Sequence, residues 1–209
     1  AAYRKFVKNR SFITATLAMA AMTFALGGLA QWAPSFLNRM HGLDVAKANT
    51  IFGAITVLSG IIGTLAGGWL GDRLQARSAS GYLIVSGWGF LLGTPVIALA
   101  ILAKDLNSCL IAIFIAESLL FLNTGPLNTV IVNVSAPAAR AMAFAINIFA
   151  IHALGDAVSP AVIGFLSDSF GLRTAMLITP AAISMAALFS FLCCRWIAED
   201  VARSGESPE

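Results

Sequence analysis

Gly68–Arg77 reads GWLGDRLQAR, and Gly164–Arg173 reads GFLSDSFGLR. Both run glycine, aromatic residue, leucine, small residue, aspartate, four variable positions, arginine. The second starts 96 residues after the first (164 − 68). Each stands at the end of a long apolar run, where a glycine permits close helix packing and an aspartate marks the return to water. One phrase written twice at one register points to a duplicated unit.

Working outward, composition fixes the solvent. Hydrophobic residues make up 58% of the 209 and charged residues 11%, with a mean hydropathy of +0.85. A soluble domain carries about 25% charged residues, so this chain has too little polar surface to cover a globule in water. Lipid is the expected outer solvent. The net charge of +3 is spread over loops, whereas a nucleic-acid surface needs clustered Lys and Arg. Cys109, Cys193 and Cys194 lie within or beside apolar runs, with no metal-ligand spacing. They read as small apolar helix residues, with acylation of the vicinal pair as a weaker alternative.

A spanning helix needs about 20 mostly apolar residues, because lipid offers no partner to a bare backbone group. Six stretches qualify: Ser11–Leu37, Ala48–Gly71, Gly81–Ala103, Ser108–Ser135, Ala138–Ser167 and Arg173–Ile197. They define an all-α membrane bundle over residues 11–197, between a basic segment (1–10) and a polar tail (198–209). With the N-terminus in the cytoplasm, nine Lys and Arg fall on that side and four on the other, so the positive-inside rule places both ends inside. The twin phrases close the second and fifth spans. Spans one to three and four to six are therefore two copies of one unit, and an odd number of spans forces the second copy to be inverted. Inverted three-span repeats nested in a six-span half are a plan of major facilitator transporters. The chain begins Ala-Ala without Met, and a piece of a longer protein is expected.

Ionisable groups within a span are rare and mark a pathway or a paired contact. Glu117, His152 and Asp156 are the three here. Glu117, Thr124, Asn128 and Ser135 fall within about 20° of one line on an ideal helix, interrupted by Gly125-Pro126. Such a stripe is either the wall of a wet cavity or a set of interhelical hydrogen bonds. His152, Asp156 and Ser159 are spaced i, i+4, i+7 ahead of Pro160. That face allows proton handling or a polar packing or gating contact; two ligands make no metal site. A Ser159–His152 catalytic pair is set aside, since the two stand about 10.5 Å apart along the helix. In the first span, Thr16, Ala20, Thr23, Gly27 and Pro34 form a small-residue face, and Trp32 reads as an interfacial anchor.

GGLAQWAPSFLNRMHG (Gly27–Gly42), GGWLGDR (Gly67–Arg73) and GPLNTVIVNVSAPAARAMAFAINIFAIHALGDAVSPAVIGFLSD (Gly125–Asp168) resemble the Spinster family of major facilitator transporters. The likeness runs from about Arg10 to Trp196 and corresponds to the C-terminal six helices of the family's twelve. It implies a rocker-type carrier whose site lies between two halves, with an amphipathic solute of the sphingolipid or lysophospholipid kind. Animal members are associated with sphingosine-1-phosphate and lysophospholipids, and proton coupling has been proposed for some. It places Asn128, Asn133, Asn147, His152, Asp156 and Ser159 in a shared motif, and Gly68, Asp72 and Arg73 in the superfamily's gating loop, which Arg77 continues. The usual pattern has glycine where this chain has Gln75. Gly164, Asp168 and Arg173 are the matching positions of the second copy. The expected partners are the lipid bilayer, a preceding six-helix half and a small or lipid-like solute, with no nucleic acid. No cofactor is expected beyond a coupling proton. The expected location is a cell membrane, of the bacterial inner type. A drug or organic-anion carrier of the same superfamily is the alternative, and a self-sufficient six-helix homodimer a further one.

Overall fold

The computed structural model describes residues 8–205, and among them every regular element is helical. The first three spans are unbroken helices: α1 (Arg10–His41), α2 (Val45–Gln75) and α3 (Gly81–Leu102). The fourth is α4 (Leu106–Phe121) followed by α5 (Thr124–Asn133). A 3₁₀ turn at Pro137–Ala139 opens the fifth, which continues through α6 (Arg140–Ile151), a π turn at His152–Asp156 and α7 (Ser159–Phe170). The sixth is α8 (Leu172–Met176) with α9 (Ile178–Cys193), and α10 (Ile197–Gly205) follows. Six of these runs are long and apolar enough to cross a membrane. The first two helices outrun the apolar stretches read from the sequence, because a helix continues into the interface where its last carbonyls are solvated.

Local chemistry sets the ends. Asn9 Oδ1 accepts from Phe12 N at 2.8 Å and caps α1. Gly42 closes α1 in the left-handed region, φ 69°, and its N–H returns to Asn38 O at 3.0 Å. Asp105 caps α4 by accepting from Ser108 N at 2.8 Å, and those Ser108 hydrogen bonds hold its carboxyl below the usual carboxylate range.

Packing follows the inverted repeat. The first span packs on the sixth as the fourth packs on the third; the second packs on the fourth as the fifth packs on the first; the third meets the sixth across the pseudo-twofold axis. Small residues allow close crossings. Gly63 and Gly67 of α2 lie against the backbone at Ser118 and Leu122, while Gly155 lies against Ala20 O and Phe24 N of α1. The second and fifth spans, a twofold-related pair, bury least of their surface: 22% and 17% of their windows, against 33–50% for the others.

Contacts sort the ends of the bundle. Asn9 Nδ2 donates to Val134 O at 2.9 Å, Ser11 N to Asp200 Oδ2 at 2.9 Å, and Ser204 Oγ to Asn133 O at 2.7 Å. The start of span one, the end of span four and α10 thus share one end with Asp72; Asp168, closing the fifth span, stands at the other. The tail expected to be a polar extension is a docked helix over its described part, because Asp200 satisfies an orphan N–H of α1. Residues 1–7 and 206–209, the rest of the expected basic segment and tail, lie outside the described residues.

Trp32 departs from its expected role as an anchor. Its ring lies beside Gly164 and its Nε1–H donates to Pro160 O at 3.0 Å, tying span one to span five. Trp32→Phe is expected to lower stability by about 1 kcal/mol, the net worth of one hydrogen bond. Thermal melting of the purified protein checks it.

Candidate functional site

The fifth span carries the most unusual polar group. His152 Nδ1 lies 2.9 and 3.1 Å from the two Asp156 carboxylate oxygens. The pair spans a π turn: Ala157 N reaches back to His152 O at 3.1 Å, while Pro160 has no N–H to offer the Asp156 carbonyl. A π turn within an α-helix is a frequent mark of a functional position. His152 stands fifteen residues into the span (152 − 137), near mid-depth. The two side chains are 58% and 39% exposed. Beside them an open groove of about 520 Å³ is lined by Gly27, Ala30, Gln31, Asp156, Ala157 and Pro160.

Other residues singled out in the sequence are placed differently. Ser159 is fully buried beside Gly27, off that groove. Asn147 is buried against the first span, with its Nδ2 3.6 Å from Met19 Sδ. The fourth-span stripe is divided where the helix breaks at Leu122-Asn123. Asn128 and Thr124 are half-buried and joined by Asn128 Nδ2 donating to Thr124 O at 2.7 Å. Ser135 turns inward and donates to Ile131 O at 2.6 Å. Glu117 is 1% exposed. It faces the second span, accepting from Thr56 Oγ1 at 3.3 Å, with its Oε2 3.1 Å from Ser59 Oγ. This is the interhelical alternative, and it has a plain cause: a carboxyl in a dry span turns to whatever donors a neighbouring helix supplies.

At the loop after the second span, Asp72 Oδ1 accepts the Tyr82 hydroxyl at 2.8 Å, and the Arg73 guanidinium stacks 4.9 Å from the Trp69 ring. Gln75 takes over the turn with its side chain, accepting from Tyr82 N and donating to Ala79 O, both at 3.3 Å. Gly68 lies open beside Gly125, and Arg77 is exposed. In the second copy Gly164 meets Trp32, Asp168 is exposed and Arg173 is half-buried. Tyr82, Thr56 and Ser59 are residues that sequence reasoning missed. Tyr82 had one signal, a phenol one turn into a span directly after the charged loop. No group of three or more His, Cys, Asp or Glu is gathered for a metal among the described residues.

Comparison with known proteins agrees with this architecture. The chain is 31% identical over 234 aligned residues to protein spinster homolog 3 of Danio rerio, covering 97% of the chain and 47% of that protein. It is 33% identical over 178 residues to the sphingosine-1-phosphate transporter SPNS2 of Mus musculus, covering 79% of the chain and 32% of that protein. Residues 1–102 match the profile of the Organic Anion Transporter Polypeptide (OATP) family. In fold it is similar to a bacterial homologue of the human lysosomal transporter Spinster, in an inward-facing and unoccupied conformation. The TM-score is 0.86 at 23% identity, over 100% of this chain and 51% of that one. The chain spans about half the length, or less, of the relatives it matches. By sequence likeness over nearly its whole length, and by a shared six-span bundle, the chain is a Spinster-like member of the major facilitator superfamily.

Proposed function

We propose that this chain is the C-terminal half of an alternating-access secondary transporter for an amphipathic, lipid-like organic solute, with a proton as coupling ion. One observation carries the reading. A histidine–aspartate pair stands uncovered at mid-depth of the fifth span, on one of the two least-buried spans of an inverted repeat. Uncovered polar groups at that depth are untenable in hydrocarbon, so a second six-span body and a water-filled path between the two would cover them. Sites near the midplane between such bodies are the general arrangement in secondary carriers. The Asp72–Tyr82 contact, at the end given the cytoplasmic side by the basic residues, would hold one gating arrangement. The lipid-like solute class rests on the likeness to the sphingosine-1-phosphate transporter SPNS2.

An anionic head group needs a cation, and the candidate face of this half offers only His152. The rest of that charge would come from the preceding half. The match of residues 1–102 to the organic-anion family favours a second reading, a carrier of smaller organic anions. Counterflow in proteoliposomes holding the full-length protein separates them. Radiolabelled sphingosine-1-phosphate and lysophosphatidylcholine should exchange, and small organic acids should not. Exchange of the acids alone would install the second reading, and exchange of neither group would remove the first.

A further inference from the structure

In the Glu117 cluster, which the His152–Asp156 face does not use, the carboxyl and Ser59 are buried and Thr56 is half-buried. Glu117 sits eleven residues into span four (117 − 106), and Thr56 eleven residues into span two (56 − 45). The surrounding elements bring no opposing charge. On α2 the charged residues are Lys47, Asp72 and Arg73, all near its ends; α3 has only Tyr82, at its start; α1 has Arg10, Arg39 and His41, all terminal; α4 itself adds only Cys109. Two turns along, Gly63 and Gly67 close on the backbone at Ser118 and Leu122 and exclude water from that side.

The hydrogen-bond geometry accommodates a protonated carboxyl. Ser59 Oγ is 3.1 Å from Glu117 Oε2 and also 3.1 Å from Thr56 O. One hydroxyl hydrogen can serve only one of these acceptors. If the carboxyl carries a proton, the chain closes: Glu117 O–H donates to Ser59 Oγ, Ser59 O–H donates to Thr56 O, and Thr56 O–H donates to Glu117 Oε1. Both Ser59 contacts are then used in one closed chain, and no net charge is buried without a cation.

The repeat adds the second half of the argument. Thr56 and His152 are the same position of the two copies (152 − 56 = 96), as are Gly60 and Asp156 (156 − 60 = 96). In one arrangement, then, twofold-related interfaces hold one sealed titratable site and one open site. Alternating access rocks or gates one such repeat against the other, so related interfaces open in turn. Resting on the transporter reading above, we propose that Glu117 is a proton-binding site whose loading closes the second span onto the fourth. It is sealed in this arrangement and opened to water in the opposite one. The proton is taken from water on one side of the membrane as the O–H bond forms, and returned to water on the other as it breaks.

The test uses the full-length protein in a background without other cysteines, carrying Gly60→Cys. An added Cβ at Gly60 meets only the Phe121 ring, at 3.8 Å, so a thiol there reports wetting of the cluster. Maleimide alkylation is expected to be at least fivefold slower at pH 5.5 than at pH 8.5 after correction for intrinsic thiol reactivity. Glu117→Gln, which retains the closed hydrogen-bond pattern, is expected to abolish the difference and hold the slow rate. A corrected rate that ignores pH, or a pH dependence that survives Glu117→Gln, overturns the proposal. Solute counterflow measured on the same samples tests the transporter reading separately, because alkylation requires no transport.

Discussion

Gly67→Ala is expected to lower the stability of the full-length protein by about 2–3 kcal/mol, while Gly68→Ala, one position on, is expected to raise it slightly. The two substitutions add the same methyl to the same helix. Alanine is favoured over glycine in a helix by about 1 kcal/mol, so propensity alone predicts stabilisation in both. Packing decides the sign. A Cβ at Gly67 would fall inside the envelope of the Leu122 carbonyl, a backbone group that no side-chain rotation can move aside. The second and fourth spans would have to separate, loosening the Gly63 contact with Ser118 and the Thr56–Ser59–Glu117 hydrogen bonds with it. Overpacking of this kind costs about 1–3 kcal/mol and at rigid contacts more. A Cβ at Gly68 meets nothing within 4 Å, so the propensity gain stands alone. Melting temperatures in one lipid–detergent mixture check the pair. Equal shifts of one sign would show that the crossing is looser than described.

The contrast between these glycines shows what the sequence could and could not disclose. Six spans, their order and their inverted duplication were legible, because hydropathy measures depth and the twin phrases at Gly68 and Gly164 mark register. Facing was not legible. In a soluble helix an apolar stripe points to the core, but in lipid the outward face is as apolar as the inward one, so Gly67 and Gly68 look alike in sequence. The facing of Glu117 stayed open for the same reason: Thr56 and Ser59 decide its direction, and they lie about sixty residues away. Trp32 shows a related gap. An indole near the end of a span serves as well at the interface as against a neighbouring backbone, and only Pro160, 128 residues on, distinguishes the two. The helix break after Phe121 and the π turn had sequence signals in Gly125-Pro126 and Pro160. A proline shows that a hydrogen bond is lost, not how the preceding turn will be rewound. His152 and Asp156 were the more legible part of the candidate site, since i, i+4 spacing puts two side chains in reach whether the turn is α or slightly wider.

Asp156→Ala is expected to reduce solute exchange by roughly tenfold to a hundredfold in the reconstituted full-length protein, with membrane insertion and melting temperature close to wild type. Its carboxylate receives the His152 ring at 2.9 Å and lines the groove with Gln31 and Pro160. Removing it leaves the imidazole without its partner at mid-depth, where an unpaired polar group costs about 1–3 kcal/mol, and 1.4 kcal/mol is a factor of ten. The penalty falls on states in which the site is closed from water, because an open path solvates the ring. Exchange therefore suffers while folding does not, since both side chains are substantially exposed in this chain. His152→Ala should lose a similar factor, and the double substitution should lose little more, because two groups acting as one unit are not additive. Exchange at wild-type rates by a well-inserted His152→Ala protein would assign the pair to packing rather than to the transport path. Fully additive losses would mean that each group meets the solute or the proton on its own.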